Sequence, residues 1–269
     1  MILRHGSAGQ EVKRLQTKLD GLKVDGDFGP KTGKAVKNYQ SSCCLVPDGV
    51  AGRKTLHALG IDIYPGIDVS HHNGKIRWDH VDPHEAMFAW VKVSEGKTFR
   101  DPKRRQNLVG ARKNGILVGG YHFGRPENNL PKDDAENFLI GYGGPIPDTD
   151  MIPVLDLEAG VKGDPDHNRQ WALEWLENVH NRTGRTPMVY TAKWFIKGFL
   201  KGNVEGLDKY PLWVADYSDT RTDPDYIASW PEWAVWQWTA KGNVGGVGKC
   251  DCNWLPGGPD ALNMFKGTP

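Results

Sequence analysis

The chain has no long apolar segment. Its 269 residues contain no run of about 18 apolar residues, so the sequence predicts no membrane-spanning helix and no insertion into a membrane. Residues 1–6 do not contain the apolar stretch of a secretory signal peptide, so we expect synthesis in a cytoplasm without such a signal. The formal net charge of only +1 argues against nucleic acid or another polyanion as the partner.

Cysteine is scarce, and its spacing does not suit a disulfide framework. Cys43 and Cys44 are adjacent, whereas Cys250 and Cys252 on a predicted strand would be about 6.6 Å apart, near the upper limit for a disulfide. Paired C-x-x-C motifs do not occur, and the adjacent His71-His72 does not have the H-x-x-x-H spacing of a zinc-binding helix. We therefore expect four reduced thiols, no bound metal and no cofactor.

The first 62 residues contain a repeated motif. Residues 25–32 and residues 48–55 both read Asp-Gly-x-x-Gly-x-x-Thr. Asp-Gly and Gly favour a tight turn, and a helix is expected after each turn, with Pro30 in a first helical turn. Together with an apolar stripe from Val12 to Leu19, this pattern predicts a small three-helix domain over residues 1–62, followed by a second domain over 63–269.

Two acids stand at the end of a predicted buried strand in the second domain. An apolar run at 151–154 leads into Leu155-Asp156-Leu157-Glu158. Alternation along a strand over 152–158 would place Asp156 and Glu158 on one face, with their Cα atoms about 6.6 Å apart. Neighbouring carboxyl groups separate their pKa values, so that one stays protonated while the other is ionised. Cleavage of a glycosidic bond requires such a pair.

From Gly66 onward, predicted strands alternate with predicted helices. This order predicts an α/β fold, an irregular TIM-like β/α barrel, whose active site lies at the carboxyl ends of the strands. Polar and aromatic residues collect at those ends, and they include Asp68 and Asp251. Strands are expected at 67–70, 89–93, 118–123, 152–158, 188–191, 212–215, 234–238 and around Asp251, and helices at 103–114, 133–142 and 168–183.

Several motifs of this second domain resemble glycoside hydrolase family 25, the lysozymes or muramidases. They occur in the family's order at 66–70, 91–96, 119–123, 153–158, 190–191, 212–217, 236–239 and 251–253. Residues 3–59 resemble the peptidoglycan-binding domain of cell-wall hydrolases, through Gly6-Ser7-x-Gly9 and the doubled motif. The sequence departs from the family at Cys250-Asp251-Cys252, because the family usually has apolar residues around this acid.

The resemblance implies hydrolysis of the β-1,4 bond between N-acetylmuramic acid and N-acetylglucosamine in peptidoglycan. It implies Glu158 as general acid and later base, and Asp156 as the group that opposes the positive charge at the sugar. Asp156 either attacks the anomeric carbon or orients the acetamido group of the substrate, and its place on the same strand as Glu158 favours the second route. Asp68 and Asp251 are expected as supporting acids, with a purely structural role as the alternative.

The resemblance also implies sugar contacts, and for each aromatic residue a place in the barrel core is the alternative. The expected contacts are Tyr121, Phe123, Tyr190, Trp213, Tyr217, Trp236 and Gln237.

A wall hydrolase with a wall-binding domain and no signal peptide resembles a modular phage endolysin. Such an enzyme is made in the host cytoplasm, and it acts on the cell wall after the membrane is breached; we expect a monomer. A bacterial autolysin of the same activity and a non-catalytic wall-binding protein are the alternatives. A zinc amidase or peptidase would require a set of metal ligands, and the sequence does not contain one.

Overall fold

The computed structural model describes residues 3–217, 224, 226–257 and 261–266, and the chain divides into two compact units. The smaller unit extends to Ile63 and includes the described residues of 217–225 and 256–261; the larger unit contains the rest from Tyr64 onward. The domain boundary after residue 62 stays a prediction. Within the described ranges, no helix is long and apolar enough to cross a membrane.

Three helices form most of the smaller unit: α1 (Gln10–Lys18), α2 (Pro30–Ser42) and α3 (Arg53–Ala58). Pro30 lies in the first turn of α2, where the N–H that proline lacks would have no partner within the helix. The helices enclose a small apolar core, which consists of Leu3, Val12, Leu15, Leu19, Phe28, Val36, Ala51, Leu56, Leu59 and Ile61.

The first copy of the repeated motif is held by a buried glutamine of α1. The Gln16 side-chain amide donates to the Asp25 carboxylate at 2.9 Å and to the Asp27 carbonyl at 3.0 Å. Its Oε1 accepts from the Gly26 N–H at 2.8 Å. Gly26 has a φ of 82°, a conformation that glycine adopts without strain, so the Asp-Gly pair builds the turn as predicted.

The second copy repeats this arrangement on α2. The Gln40 amide donates to the Asp48 carboxylate at 2.8 Å and to the Val50 carbonyl at 2.9 Å, and its Oε1 accepts from the Gly49 N–H at 2.9 Å. The sequence repeat is therefore also a repeat of hydrogen bonds, in which one glutamine ties a helix to the turn that follows it.

The larger unit is a closed eight-stranded barrel, which confirms the predicted α/β barrel fold. The strands follow one another around it in the order β1-β2-β4-β5-β6-β7-β8-β9, β9 pairs with β1, and the short β3 adds to β2. Their bounds are β1 (Asp62–Val69), β2 (Phe88–Glu95), β3 (Phe99–Arg100), β4 (Leu117–Phe123), β5 (Val154–Asp156), β6 (Met188–Ala192), β7 (Leu212–Ala215), β8 (Val235–Val244) and β9 (Gly248–Gly257).

The barrel is irregular because its last two strands run antiparallel to each other. From β1 to β8 the neighbouring barrel strands are parallel, whereas β8 and β9 form an antiparallel pair. Helices connect the earlier strands, and three of the four correspond to predicted helices, whereas the six-residue α7 is not predicted. They are α4 (Arg104–Lys113), α5 (Pro131–Tyr142), α6 (Pro165–Thr183) and α7 (Lys193–Gly198).

Strand β5 is shorter than the sequence predicts, and this corrects the expectation of a strand over 152–158. It ends at Asp156, so Glu158 lies beyond the strand. Asp156 pairs with Phe123, the last residue of β4, so past this point β5 has no neighbour on that side. On the other side, Leu157 continues the contact with β6, because its N–H donates to the Tyr190 carbonyl at 2.9 Å and its carbonyl accepts from the Thr191 hydroxyl at 2.8 Å.

Candidate active site

Four acids line one cavity of about 400 Å³ in the larger unit. Asp68 lies near the end of β1, Asp156 ends β5, Glu158 follows β5, and Asp251 lies within β9. The structure thus brings together all of the acids to which the sequence analysis assigns a catalytic role. Four of the expected sugar contacts line the same cavity: Tyr121, Phe123, Tyr190 and Trp213. The roles of these residues stay predictions.

Two amide side chains hold Asp68. Its Oδ2 accepts hydrogen bonds from Gln237 Nε2 and from Asn253 Nδ2, each at 2.8 Å. Burial and, after it, the charge of Asp251 raise the pKa of Asp68 well above its ordinary value, whereas the two amide donors oppose this rise. Asn253 is itself oriented by Trp213, whose Nε1 donates to Asn253 Oδ1 at 2.9 Å.

Asp156 has a buried oxygen with no hydrogen-bond partner. The residue is only 8% exposed, and its Oδ1 meets no donor among the described residues. Burial and the charge of Glu158 raise the pKa of Asp156 well above its ordinary value, while the Lys92 ammonium acts in the opposite direction. A buried oxygen without a partner is costly, so this atom is suited to contact a bound substrate.

Glu158 has a pKa that suits proton transfer near neutral pH. Burial and, after it, the charge of Asp251 raise this pKa to about 7. A carboxyl group with such a pKa still holds a proton in mildly acidic solution, and it can give that proton up within the physiological range.

Lys92, to which the sequence analysis assigns no role, also lines the cavity. Its Nζ lies 2.6 Å from Glu95 Oε2 and 4.9 Å from the centroid of the Phe123 ring. Glu95 forms a second ion pair with Arg125. Burial alone would raise the pKa of Glu95, but the hydrogen bonds and charges of Lys92 and Arg125 bring this pKa below its ordinary value. The ammonium of Lys92 is therefore held at the cavity by its bond to Glu95.

Three residues that we expect to contact sugar are not part of the cavity lining. Trp236 is fully buried, and its Nε1 donates to the Asp216 carbonyl at 2.8 Å. Gln237 is buried behind the lining, where it accepts a hydrogen bond from the Tyr190 hydroxyl at 2.9 Å. Tyr217 is 57% exposed and belongs to the smaller unit. Their contact with sugar stays a prediction.

Six further lining residues have no role in the sequence analysis. Five of them lie within five residues of Asp68 or Asp251 in the sequence, and the sixth lies in β8. For those five, closeness in sequence to an assigned acid was the one feature that could have predicted their place in the cavity. The six residues are Ser70, His72, Asn73, Ala240, Lys249 and Cys250. Across the described ranges, no group of three or more His, Cys, Asp and Glu side chains is arranged to hold a metal ion, and the metal-free site stays a prediction.

Known proteins share both parts of this chain. Residues 67–247 match glycosyl hydrolases family 25, and residues 8–59 match the peptidoglycan binding domain family. The chain is 34% identical over 202 residues to lysozyme M1 of Streptomyces globisporus, across 71% of this chain and 67% of that protein.

Solved structures of similar proteins also match the larger part of this chain. The bacterial lysozyme of Streptomyces coelicolor superimposes with a TM-score of 0.68 and 30% identity, over 76% of this chain and 96% of that one. The CTP1L endolysin superimposes with a TM-score of 0.59 and 28% identity, over 76% of this chain and 70% of that one. With its barrel, its four acids and its family match, this chain belongs to glycosyl hydrolase family 25, the peptidoglycan-hydrolysing lysozymes, and carries an N-terminal peptidoglycan-binding domain.

Proposed function

We propose that this lysozyme cleaves the β-1,4 bond between N-acetylmuramic acid and N-acetylglucosamine, with Glu158 as its general acid. The observation that carries this proposal is the pair of acids around the end of β5, of which Glu158 has a pKa of about 7. A protonated Glu158 gives its proton to the oxygen that leaves the muramic acid residue. Once ionised, Glu158 takes a proton from the attacking water, so that a single carboxyl group serves both half-reactions.

Asp156 acts on the positive charge that develops at the anomeric carbon. The Lys92 ammonium favours the ionised form of Asp156, although burial and Glu158 outweigh it in the free enzyme and raise this pKa well above its ordinary value. Its unpartnered Oδ1 can accept a hydrogen bond from the substrate's acetamido N–H and hold that group so that its carbonyl oxygen attacks. Detection by mass spectrometry of a sugar bonded covalently to Asp156 would contradict this substrate-assisted route and favour direct attack by the carboxylate.

Asp68 and Asp251 support this pair from the other side of the cavity. The charge of Asp251 contributes to the raised pKa of Glu158, and Asp251 also interacts with Asp68. The two amides on Asp68 limit the rotation of its carboxyl group, so the acid has a defined orientation before substrate binds.

Fragments of purified peptidoglycan, reduced with borohydride and analysed by mass spectrometry, test the bond specificity. We expect muramitol ends from the wild-type enzyme and none from Glu158→Gln. Glucosaminitol ends would place the cut at the other glycosidic bond, and new free amines would indicate an amidase. A wall-binding protein without catalysis would release no fragments at all.

We further propose that the enzyme lyses a bacterial host for a bacteriophage. The structural similarity to an endolysin and the peptidoglycan-binding domain support this setting. Expression inside a susceptible bacterium separates the possibilities. An endolysin of this type leaves the culture intact until the membrane is permeabilised with chloroform, and the culture then lyses at once. Lysis without permeabilisation, with enzyme found outside the membrane, would instead indicate an autolysin.

A further inference from the structure

Cys250 and Cys252 flank Asp251 on β9, and the mechanism proposed above uses neither thiol. Cys250 and Asp251 both line the cavity, although regular alternation along a strand would place neighbouring side chains on opposite faces. Cys250 is 4% exposed and lines the cavity, whereas Cys252 is more exposed. Both cysteines are free. One thiol of the pair therefore lines the active-site cavity beside one of its acids.

The pairing between β8 and β9 is irregular where the two thiols stand. Cys252 pairs with Thr239 and Cys250 pairs with Gly242, so residues 240–241 of β8 lie opposite the single residue between the cysteines. A regular strand separates the Cα atoms of residues i and i+2 by about 6.6 Å, near the upper limit for a disulfide. The extra residues of this register break lie on β8, and Asp251 has no paired residue there, so fewer regular cross-strand hydrogen bonds oppose a change of the backbone between the two cysteines.

The surroundings of the two sulfur atoms suit exchange chemistry. A Cβ atom on Gly242 would collide with the Cys252 sulfur, so glycine at this position leaves room for that side chain. Interaction with the neighbouring thiol raises the pKa of Cys250 and lowers the pKa of Cys252. Because the thiolate is the reactive form, the more exposed Cys252 is the nucleophile of the pair.

We propose that Cys250 and Cys252 form a thiol–disulfide exchange site that closes a reversible disulfide and thereby lowers peptidoglycan hydrolysis. The Cys252 thiolate attacks one sulfur of a low-molecular-weight disulfide, forms a mixed disulfide and expels one small thiolate. Cys250 loses its proton to water, attacks the Cys252 sulfur and expels the second thiolate. The two protein thiols lose two electrons in total, and the small disulfide is reduced to two thiols.

Formation of the disulfide affects the active site because it moves Asp251. The ring that the disulfide closes contains the backbone of Asp251, so the dihedral angles of this residue must change. Asp251 interacts with Asp68, and its charge helps to raise the pKa of Glu158. A displaced Asp251 therefore disturbs both the orientation of one acid and the protonation of the other.

The test uses the full chain with Cys43→Ser and Cys44→Ser, because these two cysteines are exposed and would also react. After incubation with oxidised glutathione, the tryptic peptide that begins at Cys250 is expected to be lighter by two hydrogen atoms. Hydrolysis of peptidoglycan is expected to fall about tenfold or more, since small displacements of catalytic groups cost at least this much. Dithiothreitol should restore both the mass and the activity.

Single variants identify the order of the steps. Cys250→Ser is expected to stop at the mixed disulfide of Cys252 with glutathione, and Cys252→Ser is expected to react more slowly. Two unmodified thiols after the treatment, or a closed disulfide in an enzyme of unchanged activity, would overturn the proposal. Mass measurement does not depend on hydrolysis, so an inactive reduced enzyme would count against the proposed function alone.

Discussion

The side-chain amide of Gln237 donates to the carboxylate of Asp68 at 2.8 Å and so joins two residues that are 169 positions apart in the chain. Gln237 is only 1% exposed and accepts at the same time from the Tyr190 hydroxyl. It therefore connects a cavity acid to a cavity aromatic from behind. Its effect on catalysis would be exerted through Asp68, whichever sugar contacts it makes in addition.

Replacing Gln237 with leucine should weaken both stability and activity. Asp68 loses one of its two amide donors, so its raised pKa rises further, and the Tyr190 hydroxyl loses an acceptor. We expect a loss of about 1–3 kcal/mol in the free energy of unfolding, the usual cost of a buried polar group left without its partner. Urea denaturation gives this value, and initial rates of peptidoglycan hydrolysis should fall by about tenfold.

Gln170→Leu is the matched control for this variant, because it makes the same substitution at an exposed position on α6. This control should retain wild-type stability and rate. If the Gln237→Leu enzyme has the same initial rate and the same free energy of unfolding as the control, the hydrogen bond to Asp68 contributes to neither activity nor stability.

Activity should decrease as the pH rises through about 7, because Glu158 must hold its proton to act as an acid and its pKa lies there. The profile of kcat/KM against pH on soluble peptidoglycan fragments measures this basic limb. Glu158→Gln should lose activity by several orders of magnitude at every pH. A basic limb near the ordinary pKa of a glutamate, 4.5, would contradict the role of burial and Asp251.

The same pKa also predicts how stability depends on pH. The folded protein binds the Glu158 proton more tightly than the unfolded chain, whose glutamate has a pKa of 4.5. This stabilising contribution is fully present below pH 4.5 and is lost as the pH rises through about 7. Glu158→Gln should therefore have a higher Tm than wild type at about pH 8, and the difference should shrink at about pH 4. Scanning calorimetry at the two pH values compares the proteins, and a constant difference would contradict the linkage.

Two of the four cavity acids were predictable from a local pattern, because the barrel brings the ends of its parallel strands together. A polar residue at the end of an apolar strand is visible in the sequence, and the ends of parallel strands converge in a β/α barrel. Asp68 and Asp156 follow this rule. Glu158 was expected at the end of a strand over 152–158, and it lines the cavity although it lies beyond β5. Asp251 lies within the antiparallel β9, so its assignment depended on the resemblance to family 25.

The supporting residues could not be placed in this way. Whether Trp236 or Gln237 faces the cavity depends on the register and tilt of β8, and on the antiparallel β9 beside it, which no local pattern encodes. The ammonium of Lys92 lies at the cavity because of its long side chain, and contacts with Glu95 and Phe123 set the direction of that side chain. These relationships connect distant parts of the chain, so they appear only in the folded barrel.

Removal of the Lys92 charge should move the acidic limb of the pH profile to higher pH. The Lys92 ammonium lowers the pKa of Asp156, so Lys92→Met raises this pKa, and Asp156 becomes protonated at a higher pH. Because Asp156 must be ionised to act, activity should fall most on the acidic side, by about tenfold near pH 5. The basic limb should stay in place, since burial and Asp251 set the pKa of Glu158.

Arg125→Met is the matched control, because it also removes a cation from Glu95 but is not among the groups that shift the pKa of Asp156. We expect it to keep the acidic limb of the wild type. If both variants shift that limb equally, the effect would come from Glu95 and not from the charge of Lys92 on Asp156.

Gln40 and Gln16 should each be necessary for the peptidoglycan-binding domain to stay folded. Gln40→Leu leaves the Asp48 carboxylate, the Val50 carbonyl and the Gly49 N–H without the amide that holds them. We expect the domain to lose about 1–3 kcal/mol, because the buried Gly49 N–H and the buried Thr55 hydroxyl each lose a partner. Hydrogen exchange of the full chain should then show less protection throughout residues 3–61, with the barrel unchanged.

Asn38→Leu serves as the control for Gln40→Leu, since Asn38 lies exposed on the same helix α2. It should leave the protection of residues 3–61 as in wild type. Because the Gln16 network has the same donors and acceptors as that of Gln40, Gln16→Leu should reproduce the loss over the whole domain. A loss of protection confined to residues 25–32 would show that the two turns unfold independently. The two copies of the motif would then not stabilise each other.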